Sequence, residues 1–310
     1  MCTDNRRRLL FVILCSVLAC ASPPALAAST SEAVQRGAYF ANAIVDCASC
    51  HTKRDDKTDH ALTKGPLWAG GEILGEAWAM PGNIVTPNLT PDPETGIGSW
   101  TDAELANAIR NGVNRQGERL FPLMPSHFYQ RMADEDLADL IAYLRSLEPT
   151  KKPTDQITQL AMPRSELPPL PPVTGPVLPP ASDPIARGEY IVLMANCITC
   201  HSPTQQGQPI QGKFLAVGVY FKTPYGSFPT PNITPDKKTG IGDYTDAELD
   251  RVMRTGIKKN GTRVVANFMP WYIYKNMTDE DMAAVIAYLR SLKPVENDIR
   301  DPANHHPVGG

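Results

Sequence analysis

The chain has 310 residues, enough for one large domain or two ordinary ones, and 30 basic against 33 acidic side chains leave it close to neutral. That balance gives no support to a nucleic-acid partner bound through bulk positive charge. With 30 prolines and an aromatic share of only 7%, the chain has little aromatic core material of its own, and a bulky apolar cofactor would help it build a core.

Arg6, Arg7 and Arg8 precede an uncharged apolar run, Leu9 to Ala21, and Ala25-Leu26-Ala27 has the small-x-small pattern of a cleavage site. Residues 1–27 are therefore expected to be an export signal cut after Ala27, which places the mature protein in the periplasm. The apolar run is short for a membrane span. An uncleaved anchor is the alternative, as is a lipid on Cys20, since Val17-Leu18-Ala19-Cys20 loosely fits a lipidation site. Of seven cysteines, Cys2, Cys15 and Cys20 leave with the leader, and Cys47, Cys50, Cys197 and Cys200 remain.

The first expected domain covers 28–150. Arg36-Gly37-x-Tyr39 leads into Cys47-x-x-Cys50-His51. A middle segment rich in proline and glycine follows, carrying Thr86-Pro87-Asn88-Leu89-Thr90-Pro91-Asp92 and Thr95-Gly96-Ile97-Gly98, and it reads as loop wrapped on something rigid. Thr101-x-x-Glu104 is a capping box that starts a short helix, with Gly112 where that helix should stop. Met124-Pro125 lies on the next loop. In the last helix Leu137, Leu140, Ile141, Leu144 and Leu147 fall at helical spacing, behind Asp134, Glu135 and Asp136, which suit the positive end of a helix dipole. A proline-rich linker over 151–180, with Pro168-Pro169-Leu170-Pro171-Pro172 and Pro179-Pro180, is expected to be a semi-rigid strap between domains.

The second expected domain, 181–296, repeats the first in the same order. Arg187-Gly188-x-Tyr190, Cys197-x-x-Cys200-His201, the run from Thr230 to Asp236, Thr239-Gly240-Ile241-Gly242, Thr245 to Leu249, Gly256, Met269-Pro270 and Ile286 to Leu292 each have their earlier counterpart. Same-order matches of this kind mean a duplicated domain. The tail, 297–310, is polar, ends in glycines and is expected to be disordered. The halves differ in charge: 28–150 carries 10 basic and 17 acidic side chains, a net −7, and 181–296 carries 13 and 11, a net +2. Complementary docking fields would let each half face a different partner.

Cys-x-x-Cys-His is the attachment motif for c-type haem. Two thiols on one helical turn add across the two vinyl groups, and the histidine that follows binds iron from the proximal side. A redox dithiol needs no trailing histidine, and a zinc site would need the two pairs to converge across the proline strap with two histidines left over. Met124 follows His51 by 73 residues and Met269 follows His201 by 68, and these two alone combine pairing, a neighbouring proline and a loop position. A thioether is a soft sixth ligand that raises the potential. Core packing is the commoner use of methionine. His127, with Tyr272 at its place in the second copy, ranks below Met124. Arg110, Arg254, Trp100 and Tyr244 are candidate haem-propionate partners.

On these residues the chain resembles class I c-type cytochromes. The resemblance implies a mainly α fold of two tandem class I cytochrome c domains joined by the proline-rich linker, with two covalently bound haems c. It also implies that a glycine of each first helix packs on an aromatic of the last, a part that falls to Gly37 with Tyr143 and Gly188 with Tyr288. Cys47, Cys50, Cys197 and Cys200 would bind the haems, and His51, Met124, His201 and Met269 the irons. More narrowly, the Pro-Asn-x-Thr-Pro-Asp, Thr-Gly-Ile-Gly, Thr-Asp-Ala-Glu-Leu and Met-Pro run looks like the cytochrome subunits of bacterial membrane-bound alcohol, gluconate and sorbitol dehydrogenases. Those typically carry three haem domains and a C-terminal membrane-binding segment. This sequence has two motifs and no amphipathic pattern in its tail, so membrane contact and quinone reduction do not carry over. What carries over is electron transfer without a substrate of its own, from a periplasmic dehydrogenase to a cytochrome or oxidase. Membrane association would then come through a partner or a lipid anchor. The rival is a dihaem peroxidase-like oxidoreductase with one open iron.

Overall fold

In the computed structural model, residues 30–54, 66–75, 80–152, 158–205, 208–216, 219–223, 226–264 and 269–307 are described. The leader and its three cysteines lie outside them. The first half opens with α1 (Thr30–Tyr39), which widens into a π turn at Phe40–Ile44, followed by α2 (Cys47–His51). Next come the strands β1 (Ile73–Leu74) and β2 (Gly82–Val85), then α3 (Asp102–Ala106) with a π turn at Asn107–Asn111, α4 (Ser126–Tyr129) and α5 (Asp134–Ser146). The second half has α6 (Pro184–Met194), α7 (Cys197–His201), α8 (Asp246–Thr255), α9 (Trp271–Tyr274) and α10 (Asp279–Ser291) in the same roles, with a short antiparallel pair of its own, β4 (Thr204–Gln205) and β5 (Gln208–Pro209), after α7.

The helices start and stop where the sequence says they should. Thr101 accepts the Glu104 amide at 3.2 Å while the Glu104 carboxylate accepts the Thr101 amide at 2.7 Å, and Thr245 and Glu248 do the same at 3.2 and 2.8 Å. Gly112 and Gly256 end these helices with φ of 63° and 71°, which a side chain would resist. The last helix of each half packs on the first, α5 on α1 and α10 on α6. At the crossings a Cβ on Gly37 would lie 2.9 Å from the Tyr143 Cβ, and one on Gly188 2.7 Å from the Tyr288 Cβ. Both expected glycine–aromatic pairs are therefore real contacts. Arg145 then ties the end of α5 to the carbonyls of Ile97 and Trp100 and to Asp102, and Arg290 ties α10 to Ile241, Tyr244 and Asp246.

The halves pack on each other through reciprocal contacts of equivalent residues. Tyr39 donates to Asp281 at 2.6 Å and Tyr190 donates to Asp136 at 2.6 Å. Each hydroxyl also accepts an amide at the head of the facing helix, Thr278 at 3.2 Å and Ala133 at 3.0 Å. The α9 segment lies against the π turn of the first half, and α4 lies against α6.

The strap differs from a free spacer. Its strand β3 (Gln159–Leu160) pairs with β2, and Leu167 is buried. The Val173 amide donates to Asn111, Gln130 donates to the Pro171 carbonyl, and Val177 and Asp134 exchange two hydrogen bonds. Over 297–307 the tail also departs from the disorder expected of it. A 3-10 turn at Pro302–Asn304 leads into β8 (His306–Pro307), which pairs in parallel with β6 (Val219–Thr223), the partner of β7 (Gly226–Pro229). His305 stacks on Tyr220 at 4.7 Å, and Lys213 donates to Asn297 at 2.5 Å. A short polar segment with no periodicity can be held by one two-residue strand pairing and a few side-chain contacts, and composition does not report that.

Candidate haem sites

Each Cys-x-x-Cys-His segment is one helical turn. Asp46 precedes α2 and Asn196 precedes α7, both left-handed with φ of 54° and 57°, a conformation these two residue types tolerate best among residues with side chains. Ser49 donates to the Asp46 carboxylate at 2.6 Å and Thr199 to the Asn196 carbonyl oxygen at 2.5 Å, which closes the turn. Thiols three positions apart on such a turn share a face, and the histidine follows beside them.

The two imidazoles are held alike. His51 Nδ1 lies 3.0 Å from the Pro87 carbonyl oxygen and His201 Nδ1 lies 2.8 Å from that of Pro231. A carbonyl oxygen only accepts, so the proton sits on Nδ1 and the Nε2 lone pair is left for a metal. Burial lowers the pKa of both rings, against a smaller upward pull from the carbonyl, so both stay neutral at neutral pH.

Pro87 and Pro231 belong to the repeated Pro-Asn-x-Thr-Pro-Asp loops, whose polar side chains are satisfied within the protein. Buried Asn88 accepts from the Thr90 amide and hydroxyl at 2.9 and 2.8 Å and donates to the Thr150 carbonyl at 2.8 Å. Asn232 repeats this with Thr234 and the Val295 carbonyl at 2.9, 2.8 and 2.7 Å. Asp92 and Asp236 accept the amide and hydroxyl of Thr95 and Thr239. The loop is a rigid bracket with the histidine's acceptor at its front. The sequence places this run in a loop wrapped on something rigid but does not single out the prolyl carbonyl, which has no side-chain signature.

The thiols are poor nucleophiles. Burial pushes Cys47 up to about 12 and Cys50 to about 11, and Cys197 and Cys200 likewise to about 12 and about 11, although Cys50 keeps an exposed face. A redox dithiol or a zinc thiolate needs the opposite shift. Among the described residues no three or more of His, Cys, Asp and Glu gather into a metal-holding group.

Met124 and Met269 sit on the loops just ahead of α4 and α9, and each offers its carbonyl to an amide two residues on at 2.7 Å. Both are partly buried against the core, whereas Met132 and Met277, the other aligned pair, are fully inside it. His127 is exposed on α4 with its ring 4.1 Å from that of Phe128. Arg254 is taken up by the protein, donating to the Met277 carbonyl at 2.7 Å and pairing with Asp250 and Asp279, whereas Arg110 donates to the Met132 carbonyl at 2.7 Å and pairs with Asp134 but keeps a buried Nε without a partner among the described residues. Trp100 and Tyr244 pack on the core's edge and give their carbonyls to Arg145 and Arg290.

Three further features were not read from the sequence. Trp68 and Leu215, buried and left-handed with φ of 66° and 54°, occupy equivalent places after the haem motif, their amides held by Thr52 and Ser202 at 3.0 and 2.9 Å. Trp68 meets Tyr143 edge-on at 5.6 Å between ring centroids. Across the interface, Tyr272 reaches Ser49 inside the first motif at 2.6 Å.

The cytochrome c family model matches residues 34–148 and 185–293, one span in each half. This chain belongs to the cytochrome c family. It carries two covalently bound haem c groups. The protonated thiols on one turn and the free Nε2 atoms fit that cofactor. Among known proteins the cytochrome is similar to the cytochrome c subunit of a quinone-dependent alcohol dehydrogenase of Gluconacetobacter polyoxogenes, 32% identical over 86% of this chain and 57% of that one. It is also similar to the fructose dehydrogenase cytochrome subunit of Gluconobacter japonicus, 31% identical over 92% of this chain and 58% of that one. A dihaem c-type cytochrome of Cereibacter sphaeroides is 29% identical over 81% of this chain and 83% of its own length. The chain thus spans little more than half the length of the dehydrogenase subunits it matches. Among the described residues no helix is long and apolar enough to cross a membrane.

Proposed function

We propose that this protein is a dihaem carrier that takes electrons from a periplasmic dehydrogenase and delivers them to a downstream cytochrome or terminal oxidase. Cys47 and Cys50 hold one haem and Cys197 and Cys200 the other, with His51 and Met124 on one iron and His201 and Met269 on the second. The observation that carries the ligand assignment is the matched pair of imidazoles, each with Nδ1 spent on a prolyl carbonyl and Nε2 free. The haem supplies a one-electron couple. The chain's own residues fix the imidazole and present the two thiols on one helical turn beside it. The dehydrogenase partner is supported by the names of the relatives, and export to the periplasm by the basic-then-apolar leader ending at Ala27.

Two measurements test the reading. Acid-acetone extraction of the denatured mature protein should leave two haem equivalents on the polypeptide. Removal of the sixth ligand in Met124→Ala and Met269→Ala should each open one iron, so that the reduced variants bind carbon monoxide rapidly at one haem while the parent does not. Rapid binding by the parent protein would instead support the peroxidase-like alternative.

A further inference from the structure

The two attachment turns differ in charge at equivalent places. Asp46 directly precedes Cys47 where Asn196 precedes Cys197. Arg54 stands fourth after Cys50 where Thr204 stands fourth after Cys200. Glu72 and Val219 are matched by structure, since the amide of Thr86 donates to the Glu72 carbonyl at 3.0 Å and that of Thr230 to the Val219 carbonyl at 3.1 Å. Lys53, third after Cys50, likewise has Pro203 as its counterpart, so the first turn carries two carboxylates and two cations, and the second carries neutral groups at all four positions; of the four, Asp46 is the one that directly precedes a haem-binding cysteine. Burial raises both thiols, and the Cys50 sulfur also lies in the fields of Arg54, Asp46 and Glu72.

The Asp46 carboxylate is built into its site. Ser49 spends its proton on Asp46 at 2.6 Å, so the Tyr272 hydroxyl, 2.6 Å from the same oxygen, is the donor to Ser49. A chain of two hydrogen bonds from the second half ends on the negative group of the first. Arg54 donates to the Ser49 carbonyl at 3.1 and 2.9 Å, and its amide donates to Glu72 at 2.9 Å. Burial pushes Asp46 up to about 6, while the proton donated by Ser49 and the nearby Arg54 guanidinium both favour its anion.

We propose that Asp46 sets the order of the two haems, making the haem of the first half the lower in potential and giving electron flow a direction from the first half to the second. The proposal rests on the electron-carrier reading above. A fixed negative charge beside a haem favours the ferric iron, which bears one more positive charge than the ferrous. One electron passes from the ferrous iron of the first half to the ferric iron of the second, with no bond made or broken. The halves' overall charges, −7 over 28–150 and +2 over 181–296, act in the same sense.

The test is a charge swap in the full mature protein with both haems attached, read by optical potentiometric titration. Asp46→Asn copies the second half's cap into the first and should move the lower midpoint upward while leaving the higher one in place. Asn196→Asp, the reverse change, should move the higher midpoint downward and draw the two together. If Asp46→Asn shifts the higher midpoint, or if neither variant shifts any, the proposal fails. Should Asp46→Asn fail to accumulate, Asn196→Asp decides alone. A pyridine haemochrome assay on the parent protein tests the underlying reading separately, because fewer than two haems per chain would overturn that reading whatever the midpoints do.

Discussion

A Cβ placed on Gly37 would sit 1.9 Å from the Asp139 carbonyl oxygen, and one on Gly188 would sit 2.0 Å from that of Ala284. Both neighbours are backbone in the middle of a helix and cannot step aside. Gly188→Ala should therefore force α6 and α10 apart and cost roughly 3 kcal/mol, as overpacking does. Chemical denaturation of the variant, followed by haem absorbance, would measure it. The same glycines show what a sequence can say at this scale. Arg-Gly-x-Tyr was legible because it occurs twice. The acceptors of the histidines were not, because a main-chain oxygen looks the same in every residue, and which one meets Nδ1 is decided only when the bracket loop folds.

Elements were most legible where side chains cap or stripe them. Both capping boxes, both glycine stops and both apolar stripes are present in the structure as read. Thr245→Ala removes one half of a reciprocal pair at the head of α8 and should cost about 1 kcal/mol, visible as a lower midpoint in urea. The strands were missed. They are two to five residues long, too short to display alternation, and their pairing is set by what the chain does elsewhere. The π turn at Phe40–Ile44 was also unread: one wider turn leaves little mark on an apolar helix whose Phe40, Ala41, Ala43 and Ile44 are all buried.

For the molecule as a whole, the duplication announced two domains but not how they meet. The joint uses Tyr39 and Tyr190, which looked like ordinary members of a first helix. Burial, followed by the hydrogen bond to Asp281, pushes the Tyr39 hydroxyl up to about 12, and Tyr190 is raised still further beside Asp136. A phenol whose pKa rises on folding stabilises the protein fully below its unfolded pKa of about 10, and that contribution is lost as pH climbs towards 12. Thermal melts between these limits should fall steeply in the parent and less so in Tyr39→Phe, which has no proton to lose. An equal alkaline loss in both would assign the effect to other groups.

The segment after the last helix returns to the middle of its own half in both copies: β3 onto β2 in the first, β8 onto β6 in the second. Each helical body is thus followed by its own clasp, but the clasps are not copies of each other: the first pairs antiparallel with the strand that leads into Thr86, the second in parallel with the strand one place earlier in its half, and the stretch that joins the bodies is the first of these two fasteners. Lengthening it with flexible residues would not let the haems drift apart like beads on a longer string, because the separation is set by tyrosines elsewhere. It would unbuckle the first body. A fragment ending at residue 150 should accordingly melt well below one ending at 180, and a protease that nicks the strap should leave two bodies still docked, the first of them loosened.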